Sequence, residues 1–488
     1  MKKKMFAKGF LGVLLASQIA LLSGCSFKST PPFEYKTDLE VWGVFDDSDT
    51  YSPIFSAWQK ADPFAGQLEY RKFSVDTYKQ DLLNALASGN GPDIFMIRNS
   101  WMPAFADKVV PMPPGLMDIR QYQSQLVDVA SKDNISPDGK IYGIPLSVDS
   151  LALFYNKDLL NAAGIAQPPT TWEQLQADAA RLTNIDATGN IVTAGVSLGG
   201  WDRTQSRNGN INRASDVLLA MICQQGGLVT QDPQSYETID FNGEAVRKTL
   251  ALYSGFSSAR SPYYSWNPSL HQSLDAFSEG RLAMTINYSW QYQVFKRKNA
   301  KLNIGTAPLP QPATGGQSAN FANYWTFVVA KNTSGKVIAK DKQSSKPSII
   351  TTNPTKYNEV RILEAWEFLK FLALPNDGSV TLTSGATGAT KQVSVTMDPA
   401  KEYLTRTQKP AARRDLLELQ KSDPILGAFA LGNLIDRSWY QRDPETVEGF
   451  INESLAALLL GEVEAYDGLR NLDIRIKPFQ GGQKQGAF

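Results

Sequence analysis

Between Asp38 and Trp101 the chain alternates between two hydrophobic periods, and that alternation fixes its class. "DLEVWGVF" (38–45) has the period of a strand. Ile54, Phe55 and Trp58 then recur at helical spacing, and "GQLEYRKFS" (66–74) returns to a strand. "TYKQDLLNALASGNGPD" (77–93) puts Tyr78, Leu82, Leu83 and Leu86 on one helical face and is stopped at Gly89 and Gly91. "PDIFMIRNSW" (92–101) reads as a buried strand ending in a turn. Strand, helix, strand, helix, strand requires a parallel sheet with helices against it. Such sheets bind ligands beyond the carboxyl ends of their strands. Those ends here carry Asp46, Asp47, Arg98, Asn99 and Trp101.

With 488 residues the chain exceeds one ordinary core, so two lobes are expected. A formal charge of +1, with no basic stripe interleaved with aromatics, argues against nucleic-acid binding. One histidine and two cysteines cannot build a usual zinc site. There is no phosphate-binding P-loop, so hydrolysis of ATP would fall to partner subunits.

The N-terminus reads as an export signal. Lys2, Lys3 and Lys4 precede an apolar run from Phe10 to Leu22, too short and interrupted to be a good membrane span. It ends in "LLSGC", which resembles the bacterial lipobox, in which the leader (1–24) is removed and Cys25 is acylated. Residues 25–37 then form the anchor and a polar, proline-containing spacer. Cys223, in "LLAMICQQGG", is left without a partner and reads as a small buried hydrophobe on a helix.

Further along, Pro169, Thr170 and Glu173 suggest a capping box opening a helix. Ser334 to Tyr357 is rich in Lys, Ser and Thr and reads as a surface insertion. Trp58, Trp172 and Trp366 lie on amphipathic helices and are assigned to the core. Trp201, in the loop "GGWDR", is a weaker site candidate. Alternating oxygen side chains at Asp186, Thr188 and Asn190 suggest calcium, but the bidentate Glu of an EF-hand loop is missing, which favours a turn.

Several segments together carry a resemblance. In order they are "YGIPLSVDSLALFYNKDLLNAAGI" (142–165), "PPTTWEQL" (168–175), "GRLAMTINYSW" (280–290), "TAPLPQP" (306–312), "AWEFLKFLA" (365–373), "KPAARRDLL" (409–417) and Arg437–Tyr440. This series, behind a lipobox, resembles the lipid-anchored solute-binding proteins of bacterial ABC importers (family 1), of the sugar-binding kind related to maltose-binding protein. The resemblance spans Leu39 to about Ile474. It implies an α/β, periplasmic-binding-protein type II-like fold, two α/β lobes joined by a hinge with a ligand cleft between them. The first lobe would comprise 38–147 plus 329–415 and the second 150–326 plus 420–475, with a tail at 476–488. The implied crossings lie near Val148–Leu151, Phe327–Val329 and Asp415–Ser422.

The resemblance also implies partners and site residues. The ligand would be a mono- or oligosaccharide, and the partners an ABC permease and the bilayer that holds acylated Cys25. The chain would be a monomer on the extracytoplasmic face, with no cofactor, metal, nucleic acid or catalysis. Asp149 aligns with an acidic sugar contact of relatives, though it could instead cap backbone N–H groups at the crossing. Trp290 stands where relatives stack an aromatic on a pyranose. Trp439 and Tyr440 match a second aromatic pair, and Trp325 and Tyr324 precede a crossing strand. Trp42, Trp101, Arg98, Asn99, Asp46 and Asp47 complete the candidates, the two aspartates being equally suited to helix capping. A polyol phosphate, peptide or polyamine is the alternative ligand.

One enzyme motif is present. "GVSLG" (195–199) matches the nucleophile elbow of serine hydrolases, and His271 lies downstream of Ser197. The elbow demands a following helix, whereas "LGGWDRTQSRNGN" reads as a loop. The leader yields a direct prediction: Cys25→Ser should release the protein from membranes into the soluble fraction. Continued labelling with a radioactive acyl precursor would defeat the lipobox assignment.

Overall fold

The computed structural model describes residues 33–202, 209–230, 235–331, 337–341, 347–349, 354–375, 378–383 and 390–481. The leader, Cys25 and the residues after 481 lie outside the described residues. The alternating periods appear as β1 (Phe33–Val44), α1 (Ser48–Ala61), β2 (Ala65–Phe73), α2 (Val75–Ala87) and β3 (Ile94–Arg98). β4 (Val109–Val110), β5 (Ala152–Asn156), α3 (Trp172–Leu182), β6 (Asn184–Ile185), β7 (Ile191–Val196) and α4 (Ala214–Gln224) follow. A hairpin of β8 (Leu228–Val229) and β9 (Thr238–Ile239) leads to β10 (Leu282–Asn287) and β11 (Ile304–Pro308). Next come β12 (Asn320–Phe321), β13 (Trp325–Ala330), β14 (Val337–Asp341), β15 (Pro347–Ile349) and α5 (Pro354–Ala373). A second hairpin, β16 (Ser379–Thr383) and β17 (Thr390–Ser394), precedes β18 (Asp436–Arg437) and α6 (Pro444–Leu459).

The first sheet has the order β15-β14-β1-β3-β13-β4, with β2 paired to β1 as well. β1, β2 and β3 are parallel, and β13 runs antiparallel to β3. Alternate residues feed two cores. Leu39, Val41, Ile94 and Met96 pack with Trp58 and Trp366, whereas Trp42, Val44, Phe95 and Ile97 pack with Tyr78 and Leu82. The period of two read in the sequence therefore buries both faces. The second sheet has the order β11-β5-β10-β7-β6 and one large core, in which Leu151, Phe154, Trp172, Trp201 and Cys223 are buried. Each sheet with its helices forms a lobe.

Three sequence expectations shift. β1 begins at Phe33, five residues before the expected start, because "FEYKT" pairs with β14. The stretch expected as a surface insertion contributes β14 and β15 to the first sheet. Strands of five and three residues set among Lys, Ser and Thr are too short to show a period. The capping box moves one residue: Thr171 Oγ1 accepts from Gln174 N at 3.2 Å, and Gln174 Oε1 accepts from Thr170 N at 2.9 Å. Adjacent threonines made the two registers indistinguishable by spacing.

Between the lobes, residues 144–151 run beside 320–327. Ile144 and Phe327 exchange two backbone hydrogen bonds at 3.0 Å, and Asn323 N donates to Asp149 O at 2.9 Å. On the other side, Ala412 N donates to Leu146 O at 3.2 Å. Buried asparagines satisfy what these short ladders leave open. Asn320 accepts from Leu151 N at 3.2 Å and donates to Leu151 O at 2.8 Å, and Asn433 donates to Val148 O at 2.7 Å. Asn320→Ala would strand both backbone groups of Leu151 in a dry site. It should lower unfolding stability by about 2–4 kcal/mol, for two unmade buried bonds. Chemical denaturation measures this, and an unchanged midpoint would refute the assignment.

Candidate functional site

The carboxyl ends of β1 and β3, with the antiparallel start of β13, present one edge of the first sheet toward the second lobe. In the second sheet β10 is antiparallel to β5, so the loop after Asn287 lies beside the segment entering Ala152. That juxtaposition explains Asp149. Its carboxylate accepts from Ser289 N at 3.1 and 3.2 Å, from Ser289 Oγ at 2.5 Å and from Ser150 N at 3.0 Å. Of the two roles open to it, the geometry occupies Asp149 as a cap on the 288–290 loop.

That loop presents Trp290, whose ring is 40% exposed and stacks on Tyr288 with centroids 4.8 Å apart. The Arg213 guanidinium carbon lies 5.7 Å from the Trp290 ring centroid, and Nη1 lies 3.7 Å from Asp216 Oδ2. Arg213 holds left-handed backbone, φ 63°, at the start of α4. A branched-free but bulky residue in that region is strained, and such strain collects at functional sites.

Asp216 lines a cleft between the two sheets. Arg98, Asn99 and Ser100 line it from the end of β3. Ser215, Asp216 and Leu219 line it from α4, and Val447, Glu448 and Ile451 from α6. Phe321, Ser438 and Trp439 form its floor near β12 and β18. Ser100 Oγ, Ser215 Oγ and the Trp439 indole nitrogen are buried without hydrogen-bond partners, whereas Asp216 Oδ2 faces Arg213. Unpaired polar atoms of both kinds, gathered in one cleft, are expensive unless something else pairs them. Burial and neighbouring Asp216 raise the Glu448 carboxyl above the usual range, opposed by Arg98 and Arg213.

The sequence candidates divide. Arg98, Asn99 and Trp439 line the cleft, and Trp290 adjoins it through Arg213 and Asp216. Asn99 donates to Asp133 Oδ2 at 3.3 Å, and Tyr324 donates to the same oxygen at 2.8 Å. Tyr440 stacks on Tyr236 at 4.2 Å. Trp325 packs edge-on against Trp101 at 5.1 Å, and Trp101 donates to Glu445 at 2.7 Å. Trp42 is buried beneath Arg71 and donates to Glu40 at 2.6 Å, away from the cleft lining. Asp46 is held by Lys409 at 2.7 Å and by Tyr403 at 2.8 Å. Asp47 precedes α1, makes no cap bond and pairs with Lys72 at 2.7 Å.

Ser215, Asp216, Glu448 and Arg213 were not singled out in the sequence. One signal was available: Asp216 sits inside "ASDVLLAMICQ", a helix buried on every side, and a carboxylate there needs a reason. Ser197 is buried and donates to Thr285 Oγ1 at 2.8 Å, whereas His271 is half-exposed beside Asp275. Asp186 accepts from Thr188 N and Asn190 N, both at 2.9 Å, closing a turn.

Three acids lie buried where the lobes join. Burial pushes Asp149 up to about 7, against the hydrogen bonds from Ser289 and Ser150. Burial raises Asp133 too, and raises Asp436 well above its usual value, with further repulsion from Asp149 and Asp133. Each binds its proton more tightly folded than unfolded. Their stabilising contribution is complete below about pH 4 and is lost as pH rises; for Asp149 that loss runs to about pH 7. Thermal unfolding from about pH 4 to about pH 8 should show wild type losing stability relative to Asp149→Asn as pH rises. Parallel curves would refute the placement of Asp149.

Comparisons with known proteins agree with this architecture. The profile of the bacterial extracellular solute-binding protein family matches residues 59–388. A binding protein of Brucella abortus is 32% identical over 116 residues, which are 24% of this chain and 28% of that protein. The chain thus spans under a third of that relative's length. The maltodextrin-binding protein MdxE of Bacillus subtilis is 26% identical, over 68% of this chain and 75% of its own. In fold, the chain resembles the sugar-binding protein MalE of Xanthomonas citri, with TM-score 0.65, 20% identity and coverage of 91% and 97%. A cyclo/maltodextrin-binding protein complexed with maltotetraose gives TM-score 0.65 at 18% identity, with the same coverage of both chains. The chain belongs to the bacterial extracellular solute-binding proteins.

Proposed function

We propose that this protein is the extracytoplasmic, lipid-anchored carbohydrate-binding subunit of an ABC importer, acting by hinged closure of two lobes in a type II-like arrangement. The observation that carries the reading is the cleft itself. It lies between the two sheets and combines an indole floor with unpartnered polar atoms of both senses. A sugar hydroxyl donates and accepts at once, so it can use Asp216 and Glu448 as acceptors and Arg98 and the Trp439 N–H as donors. A phosphate would call for clustered cations and a polyamine for clustered anions; this lining carries both signs.

Recognition would combine two terms. Hydrogen bonds to charged groups contribute about 1.5–3 kcal/mol each. Stacking of a ring face on Trp290 adds about 0.5–1.5 kcal/mol beyond burial. A few such contacts, less ordering costs, reach the ~8 kcal/mol of a micromolar complex. Closure follows because a ligand touching both lobes binds the closed form more tightly than the open one. The maltodextrin-binding and galactooligosaccharide-binding relatives support a sugar. Among the described residues no helix is long and apolar enough to cross a membrane; the anchor in this reading is the lipobox cysteine, Cys25.

A thermal-shift panel of maltodextrins, galactooligosaccharides, a polyol phosphate and a polyamine tests the class. At least one sugar should raise the melting temperature, and stabilisation by the polyamine or phosphate alone would overturn the reading. With that sugar, Asp216→Asn should weaken binding by about 10- to 100-fold, and Trp290→Ala by about 3- to 10-fold. Ser197→Ala should leave binding unchanged.

A further inference from the structure

Beside the cleft, next to its lining residue Pro444, one carboxylate reaches from the second lobe to the first. Glu445 stands in the first turn of α6, whose core-facing residues Val447, Ile451 and Leu455 pack into the second lobe. Its carboxylate reaches the first lobe. Oε1 accepts from the Trp101 indole N–H at 2.7 Å, and Oε2 accepts from Lys79 Nζ at 2.8 Å. Lys79 projects from α2 and also lies 5.0 Å from the Trp101 ring centroid. The three groups therefore brace one another. Trp101 is buried against Phe105 and Trp325, so its N–H is fixed in direction.

We propose that Glu445 is a clasp: a positioning residue that closes the lobes by gripping Trp101 and Lys79, so that the closed arrangement is populated before any ligand arrives. The proposal rests on the hinged-closure reading and adds that closure has a component independent of ligand. The two bonds are unequal. The pair with Lys79 is solvent-exposed on both sides and is weakened by salt. The bond from Trp101 starts from a buried donor and is the stronger of the two. Cross-lobe pairing of Lys132 with Glu237, and of Ser438 with Asp133, adds to the same closed set.

If the clasp sets the closing equilibrium, it also sets affinity, because a ligand bound by both lobes draws on whatever closed population already exists. Glu445 would then be tunable without touching the cleft lining.

The test is small-angle X-ray scattering on the mature chain without sugar, with melting temperatures as a check on folding. Glu445→Gln keeps an acceptor for Trp101 and loses the ion pair, whereas Glu445→Ala loses both. Lys79→Met removes the ion pair from the other side. The radius of gyration should rise in the order wild type, Glu445→Gln and Lys79→Met together, then Glu445→Ala, corresponding to a closing equilibrium weakened about tenfold or more in the last. Raising salt should move wild type toward the Glu445→Gln value. Identical scattering from all four proteins would overturn the clasp. Because no sugar enters the experiment, a failed sugar panel would leave this result standing, and a failed clasp would leave the sugar reading intact.

Discussion

The structure depends on how its backbone is satisfied where the chain passes from one sheet to the other. Inside each sheet the ladders pair the peptide groups. Between the sheets those ladders shrink to isolated bridges such as Ile144 with Phe327 and Asp149 with Asn323. A buried peptide group without a partner is costly, so side chains complete the account. Asn320 and Asn433, both buried, bond to the crossing backbone, and Ser150 Oγ ties that segment to the helix carbonyl of Phe429. Polar side chains that complete a few bridges leave the segments free of continuous sheet, which is what a bending point requires.

The cleft inherits its position from that junction. Because β10 and β5 are antiparallel neighbours, the loop bearing Trp290 is tied to the crossing through Asp149. Because β18 pairs with β12, Ser438 and Trp439 are delivered to the cleft floor. Asp133 then gathers Asn99, Tyr324 and Ser438 around one buried carboxylate. The electrostatics are consequently concentrated at the junction rather than spread through the lobes.

Much of the first lobe was legible from Leu39 onward, since alternating periods report burial directly. Trp58, Trp172 and Trp366 were assigned to the core from helical spacing and are buried there. The margin strands β14 and β15 were not legible, because five and three residues among Lys, Ser and Thr are too few to show a rhythm. In the cleft, Arg98, Asn99 and Trp439 could be found because strand ends and family spacing point to them. Asp216 and Glu448 could not be found by either route. The one available signal was a carboxylate inside the wholly buried α4, and the meeting of Asp216 with Glu448 is a product of tertiary packing. Asp149 shows the opposite limit: the sequence left it open between a sugar contact and a cap, and only geometry shows that its oxygens serve Ser289 and Ser150.

The placement of β1 has a mechanical side. Its first residues pair with β14, its later ones with β2 on that same edge, and Val41 and Trp42 pair with β3 across it. A load drawn along the strand from its Phe33 end would act parallel to these ladders and strain many bonds together, rather than peeling them one at a time. The first strand is thus the part of the sheet that resists such a load best.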